Sequence, residues 1–233
     1  MLTLHTADLA LPGPAGDPVP GGAVLVRGAV VEAVGRSEDL AAAWPGARVR
    51  RWPGLLAPGL VHARGVELLE ETYHPDPREA EDPLPAPTAQ DTARWGGSAR
   101  RGVQRLLAHG VVAVAGTLRH RWAAEAVTRS GLTLLPATAT ASRAPGADPA
   151  EGPTALDPAL PALAPGSSAP VVSLDPLAGL GAAVPLPFHG GLVPGAPARF
   201  AVFAVPDEPA LRAAGAGTCV ATVVAGRLLH RRR

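Results

Sequence analysis

The Pro-rich stretch 136–187 is the feature that most constrains what this chain can fold into. It holds 11 prolines in 52 residues and no aromatic side chain. Proline interrupts helices and sheet ladders, and a stretch with so little apolar surface to bury cannot offset the entropy lost on folding. We therefore predict a largely unstructured linker, rich in Pro and Ala, over residues 136–185. The folded part of the chain must then come from the residues on either side of it.

The first sixty residues carry strand patterns. Apolar and polar residues alternate over 2–6, and two apolar runs within 23–34 flank a Gly-containing turn. Two such runs around a short turn are typical of a β-hairpin. Ser37 begins a short predicted helix, and a further short strand covers 48–52.

The middle of the chain changes to a helical period. Ser98 is predicted to cap one helix, and a second helix covers 121–130. A glycine closes each helix, and a short apolar strand follows, over 111–115 and 132–135. Helices that alternate with strands predict a crossover unit with parallel strand pairing.

Four segments, taken in order, resemble parts of one known family. They are G-A-V-L-V-R-G-A-V-V-E-A-V-G at 22–35, L-L-A-P-G-L-V at 55–61, G-L-V-P-G-A-P-A-R-F-A-V-F at 191–203, and V-A-T-V-V-A-G-R at 220–227. Their order is similar to that in amidohydrolase-superfamily proteins, and their character is most similar to imidazolonepropionase and the aminodeoxyfutalosine deaminases. The resemblance implies that the two chain ends assemble one small β-sandwich, the composite domain, with strand contacts between 22–34 and 200–226.

The family's reaction is metal-assisted hydrolysis of non-peptide carbon–nitrogen bonds, in which a divalent ion activates water. The resemblance places the first two metal ligands of the family, a His-x-His pair, at Arg64 and Val66. Neither a guanidinium nor an alkyl side chain can bind a metal ion, and His62 lies two residues before the first of these positions. We therefore expect no metal at the family positions, and no other cofactor.

The chain also leaves too little room for the barrel of the family. About 125 residues separate Val61 from Leu186, whereas a closed eight-stranded α/β barrel takes ~200 or more. Arg199 replaces the Asp of the family's return segment. We predict an α/β fold in which a composite β-sandwich accompanies a truncated α/β barrel remnant. The predicted regions are 1–60 and 186–233 for the sandwich, 61–135 for the barrel remnant, and 136–185 for the linker.

An acidic stretch follows the first predicted barrel strand. Its candidate site residues recur at helical spacing on one face of a helix that Pro75 would end, and a polar loop continues the stretch. The candidates are Glu67, Glu70, Glu71, His74 and, in the loop, Asp76. A catalytic or metal-binding face is one interpretation, although carboxylate-bridged metal bundles need two Glu-x-x-His steps and this chain has one. A solvated or salt-bridged acidic face is the other.

A second group of candidates follows the strand 111–115. Ligands bind at the carboxyl ends of strands in α/β sheets, and this loop combines hydroxyl, imidazole and guanidinium groups that suit an anion. The candidates are Thr117, Arg119, His120 and Arg121. A plain basic loop is the alternative interpretation.

Charge and hydropathy restrict the partners. A formal net charge of +1 gives no overall attraction to nucleic acid. No apolar run approaches the ~20 residues of a membrane span, and the first residues lack the pattern of a signal peptide. The chain contains no Lys, Asn or Ile, which indicates a high-GC bacterial genome. We expect a cytoplasmic protein that binds neither nucleic acid nor membranes and takes a small molecule.

Three functions remain open at this point. The chain is a degenerate amidohydrolase relative that binds a ligand or partner, an enzyme repurposed around the stretch 67–79, or a structural subunit. The last arises because an incomplete barrel leaves an open strand edge, which favours a homo-oligomer. The resemblance implies a hydrolase, and the residues argue against metal-dependent catalysis in this chain.

Overall fold

The computed structural model describes residues 1–13, 16–80, 88, 91–137 and 172–232. Strands dominate both ends of the chain, and most of the helical residues lie between them. The elements are β1 Leu2–Thr6, β2 Leu9–Ala10, β3 Val19–Pro20, β4 Gly22–Arg27, β5 Val30–Arg36, α1 Ser37–Ala43, β6 Arg48–Arg51, β7 Leu55–Pro58, β8 Leu60–His62, α2 Gly65–Glu71, α3 Thr92–Leu107, β9 Val111–Ala115, α4 Arg121–Ser130, β10 Thr133–Leu135, β11 Phe200–Phe203, α5 Glu208–Ala214, β12 Cys219–Val224 and β13 Arg227–Arg231.

The strands form three sheets. A four-stranded sheet has the order β5-β4-β1-β6, a six-stranded sheet the order β13-β12-β11-β7-β2-β3, and a three-stranded sheet the order β10-β9-β8. None of them closes into a barrel within the residues that the structure describes. The result is a mixed α/β fold, as the sequence predicts at that coarse level.

The six-stranded sheet joins the two ends of the chain. Strand β11 pairs antiparallel with β7 on one side and with β12 on the other. The predicted strand contacts between 22–34 and 200–226 are present, but they arise from side-chain packing and not from strand pairing. Side chains of β4 and β5 instead pack against β11 and β12 in one apolar cluster, which includes Val24, Val31 and Phe200. The four-stranded sheet thus packs face to face on the six-stranded sheet, and apolar side chains from both chain ends fill the space between the two sheets.

The three-stranded sheet confirms the predicted crossover unit. Strand β9 pairs parallel with both β8 and β10. Helix α4 covers the predicted range, and Gly131 closes it with a left-handed backbone at φ 76°. Helices α2, α3 and α4 bury their apolar sides against β9, and Leu69, Leu106 and Val112 are fully buried there.

Two predicted helix boundaries are wrong. Helix α3 begins at Thr92, and the carboxylate of Asp91 caps it by accepting from the backbone N–H of Arg94. Ser98 lies inside the helix, fully buried. Helix α2 ends at Glu71 because the backbone turns extended at Thr72. It stops short of the range predicted from the spacing of the acidic residues.

The predicted linker extends across the boundary of the described structure. Its residues 138–171 lie outside the described residues, so the prediction stays a prediction there. Residues 172–187 contain no strand, but they are not a free linker, since Leu177 and Leu186 are buried in the core. Asp175 fastens this segment by accepting from the backbone N–H of Ala216 at 3.0 Å. Among the described helices, none has the length and apolar character needed to cross a membrane.

Candidate functional site

A cleft of about 380 Å³ opens at the carboxyl ends of β8 and β9. Helix α2 forms one wall, and the loop between β9 and α4 forms the other. This is the end of a parallel sheet at which ligands ordinarily bind. The lining residues are Ala63, Arg64, Val66, Glu67, Glu70, Glu71, Ala115, Gly116, Thr117, Arg119 and Ala137.

The wall formed by α2 starts directly after β8. Arg64 precedes the helix, and its guanidinium donates to the carboxylate of Glu67, with Nε 2.7 Å from Oε2. This hydrogen bond lowers the pKa of Glu67 and raises that of Arg64. Val66 belongs to the helix and is buried in the core, where it packs against Gly116. Neither position of the expected His pair therefore lies on a strand.

Glu70 connects the two groups of sequence candidates. Its Oε1 accepts from the backbone N–H of Arg119 at 2.8 Å and from that of His120 at 2.7 Å. These amides lie just before α4, at the end where the helix dipole favours negative charge. Two backbone amides of this loop thus already bind a carboxylate of the chain itself, and an anionic ligand at the loop's side chains stays a prediction. The contact also fixes the second wall of the cleft against the first.

His74 does not belong to the cleft, and the predicted four-residue face does not form. The side chain is 1% exposed, and a Cβ atom placed on Gly102 of α3 would come within 2.7 Å of its Nε2. The His74 backbone N–H donates to Ser98 Oγ at 2.8 Å. Burial lowers the pKa of His74, and the charge of Arg105 lowers it further. His74 is therefore a neutral core histidine.

The loop after His74 is held by arginines. The backbone carbonyl of His74 accepts from Arg101 Nε at 2.8 Å, and the carboxylate of Asp76 lies 3.5 Å from Arg101 Nη1. Arg121, the last member of the second candidate group, does not line the cleft and pairs with Glu125 at 2.9 Å. Of the nine sequence candidates, the cleft brings together Glu67, Glu70, Glu71, Thr117 and Arg119.

A row of stacked rings lies beside these candidates, and the sequence analysis did not predict it. Trp95 of α3 stacks on Trp122 of α4 at 5.5 Å, and His120 stacks on Trp122 at 4.9 Å. Tyr73 meets Trp95 edge-on at 5.8 Å. The rings come from three separate segments, so local spacing carries no signal for the arrangement.

The residues present do not fit the metal ion that the sequence resemblance implies. Among the described residues, no group of three or more His, Cys, Asp or Glu side chains has a geometry suited to a metal. His62 is 4% exposed, and its Nε2 donates to the carbonyl of Ser173 at 2.8 Å. Burial lowers the pKa of His62 and raises that of the Cys219 thiol to about 11, so the thiol is held protonated and unreactive.

Of the comparisons with known proteins, only the comparison with solved structures found similar proteins. No family model matches the chain, and no curated protein matches it. The similar structures include ochratoxinase from A. niger, with 20% identity over 58% of this chain and 31% of that one, at a TM-score of 0.41. They also include guanine deaminase from Bradyrhizobium japonicum, with 18% identity over 58% and 34% and a TM-score of 0.38.

A third likeness is to the aminofutalosine deaminase of Helicobacter pylori, with 15% identity over 58% of this chain and 33% of that one, at a TM-score of 0.36. The chain spans about a third of the length of each of these proteins. They are hydrolases and deaminases of the amidohydrolase superfamily. Partial overlaps at TM-scores below 0.5 do not assign this chain to their family.

Proposed function

We propose that this chain is an imidazolonepropionase-like amidohydrolase relative that has lost metal-dependent hydrolysis and binds a small polar molecule in the cleft. The environment of Val66 carries the proposal. In the sequence resemblance this position holds the second histidine ligand, and here it is a helical core residue that is 6% exposed. Restoring a ligand at that position would require β8 to continue where α2 now begins.

The charges of the cleft support the binding of a polar ligand. Two acidic groups are already committed, since Glu67 pairs with Arg64 and Glu70 accepts from two backbone amides. Glu71 and Arg119 are exposed at the same cleft and offer one charge of each sign. A small molecule that carries both an amino and an acidic group would complement them. Among the described residues of the cleft, no group of three or more His, Cys, Asp or Glu side chains is suited to hold a metal ion.

The architecture supports the relationship to amidohydrolases. We interpret the four- and six-stranded sheets as the composite β-sandwich, because the second of them contains strands from both chain ends. We interpret β8, β9 and β10 with their helices as the barrel remnant. A parallel sheet of three strands is what the available chain length allows in place of eight strands.

Metal analysis of the purified protein tests this proposal. We expect elemental analysis to find no stoichiometric zinc, iron or manganese. A chelator should leave the melting temperature unchanged, because a metal bound only by the folded state would raise stability. Glu71→Ala probes the exposed carboxylate of the cleft, and Glu38→Ala, on the exposed surface of α1, is its matched control. One metal per chain that disappears in Glu71→Ala alone would overturn the proposal in favour of a repurposed enzyme.

A further inference from the structure

A second groove, which shares no residue with the cleft, runs between α3 and α4. Its volume is about 490 Å³. The floor consists of small residues, Ala93 and Gly96 of α3 and Ala126 of α4, and one wall is Trp122. When the side-chain ridges of one helix pack into the grooves of another, no open groove of this size remains between the two helices.

The groove owes its depth to Gly96, which the fold itself does not require. Glycine inside a helix is less stable than alanine because it loses more backbone freedom on folding. A Cβ atom at Gly96 would meet Trp122 Cβ at 3.8 Å, an ordinary contact, and one at Gly97 would meet only the mobile end of Arg101. Both residues have ordinary helical backbone. Gly96 weakens the helix, and no packing contact requires a glycine there. This indicates that the space beside Gly96 serves binding.

The wall of the groove is rigid. Trp122 stacks on Trp95 with an interplanar angle of 18° and on His120 with an angle of 9°. Rings held in this way lose little further freedom when a partner binds. Tryptophan in a fixed position is also the residue type most enriched where binding energy concentrates. The groove is therefore preorganised for an apolar group.

The rim of the groove is basic. Arg100, Arg121 and Arg129 line it, and the acidic residue among its lining side chains is Glu125. Arg121 and Arg129 share that carboxylate, at 2.9 Å and 3.4 Å. One carboxylate cannot neutralise three guanidinium groups, so the rim keeps an excess of positive charge although the chain as a whole is close to neutral. The complementary partner is acidic.

The placement of the arginines favours an extended partner over a small anion. Arg100 lies on α3, whereas Arg121 and Arg129 lie on α4, where Glu125 already bridges them. A groove of about 490 Å³ that is lined from both helices is far larger than a single carboxylate or phosphate group. The side chain of Arg121 is 92% exposed, so the groove is open along its length rather than closed over a ligand.

We propose that the groove between α3 and α4 binds an acidic peptide segment of a partner protein. A small apolar side chain of that segment fills the space beside Gly96 and packs on Trp122. The carboxylates of the peptide segment pair with Arg100, Arg121 and Arg129. This role is separate from the cleft, so either proposal can fail without the other.

The test uses a designed amphipathic peptide of Leu, Ala and Glu and a second peptide in which Lys replaces every Glu. We expect the acidic peptide to change Trp fluorescence and to bind with measurable affinity by calorimetry, and the basic peptide not to bind. The Arg121→Gln, Arg129→Gln variant should lose about tenfold in affinity or more. The matched variant Arg48→Gln, Arg51→Gln, which removes two exposed arginines from β6, should stay within about twofold of the parent.

Filling the groove separates a specific site from general charge attraction. Gly96→Leu should weaken binding by about tenfold and leave the melting temperature close to that of the parent, because leucine favours helix and a Cβ atom at this position meets only the Trp122 side chain, at 3.8 Å. Equal binding of the two peptides, or unchanged affinity in Gly96→Leu, would overturn the proposal. Tighter binding of an RNA oligomer than of the acidic peptide would replace it with a nucleic-acid site.

Two further outcomes would also overturn the proposal by naming another occupant. Self-association that is lost in the Arg121→Gln, Arg129→Gln variant would identify a second copy of this chain. Stronger peptide binding after neutralisation of the acidic residues Asp148, Glu151 and Asp157 would identify the chain's own segment.

Discussion

The six-stranded and three-stranded sheets are both built from short apolar strands, yet they differ in what surrounds them. All four residues of β11 and of β7 are buried, because strands from both chain ends flank them and a second sheet covers them. In the three-stranded sheet, β9 is fully buried, whereas Leu134 of the edge strand β10 is 43% exposed. We expect the first sheet to contribute more to the free energy of unfolding, whereas the second carries the charged cleft. The difference follows from topology rather than from composition.

Truncating one apolar side chain in each sheet would measure this difference most directly. Phe203 of β11 is fully buried, and its ring lies so close to Gly110 that an added Cβ there would come within 2.8 Å of it. We expect Phe203→Ala to lower the free energy of unfolding by about 3–5 kcal/mol through the cavity it leaves. Leu134→Ala, the matched change in β10, should lower it by less than about 0.5 kcal/mol. Urea unfolding monitored by circular dichroism gives both values.

A large loss of stability in Leu134→Ala would break the comparison. It would mean that the exposed side of β10 is covered in solution. That result would support a homo-oligomer that forms through the open edge of this sheet. A small loss in Phe203→Ala would contradict the assignment of the six-stranded sheet as the source of stability.

The second prediction concerns pH and the space between the four- and six-stranded sheets. His5 of β1 meets Phe200 of β11 edge-on at 4.9 Å, and its Nδ1 accepts from Trp52 Nε1 at 3.2 Å. Burial, with a smaller contribution from the charge of Arg50, lowers the pKa of His5 to about 4. Between pH 6.5 and 4 the unfolded chain binds this proton and the folded chain does not.

Stability should therefore fall as the pH drops from about 6.5 to about 4, by ~3 kcal/mol from this residue. The variant His5→Gln keeps an acceptor for Trp52 but does not titrate, so its unfolding free energy should vary less with pH over this range. Unfolding curves recorded at several pH values decide the matter. An unchanged pH dependence in the variant would show that His5 is not enclosed between the sheets as described.

The third prediction has the smallest effect and concerns the cleft. Glu70→Ala removes the acceptor of two backbone amides at the start of α4, and we expect it to cost about 1 kcal/mol, as for other capping groups. Glu70→Gln keeps an acceptor oxygen and should recover part of that loss. Hydrogen exchange at Arg119 and His120 should quicken in Glu70→Ala and less in Glu70→Gln. If exchange at both amides stays as in the parent, Glu70 does not hold the two walls of the cleft together.

Local sequence signals predicted most of the individual elements. The bounds of α4 follow from its apolar spacing and from Gly131, and the strand Val111–Ala115 follows from an uninterrupted apolar run. Parallel pairing of β8, β9 and β10 follows from the alternation of helix and strand. These features depend on neighbours in the sequence, so the sequence alone determines them.

Tertiary contacts decided what lies together in the site. The spacing of the acidic residues predicted one helical face through His74, but the chain turns at Thr72 because the His74 imidazole packs against Gly102 and its amide bonds to Ser98. The loop after β9 was predicted from local residues alone, and the contact of its backbone amides with Glu70, about fifty residues away, was not. The sequence thus determined which elements form and that Arg64 and Val66 cannot bind a metal. Only the tertiary structure shows which strand pairs with β11 and which carboxylate contacts the start of α4. Both contacts join segments that are distant in sequence, and they depend on how the side chains of those segments pack and are buried.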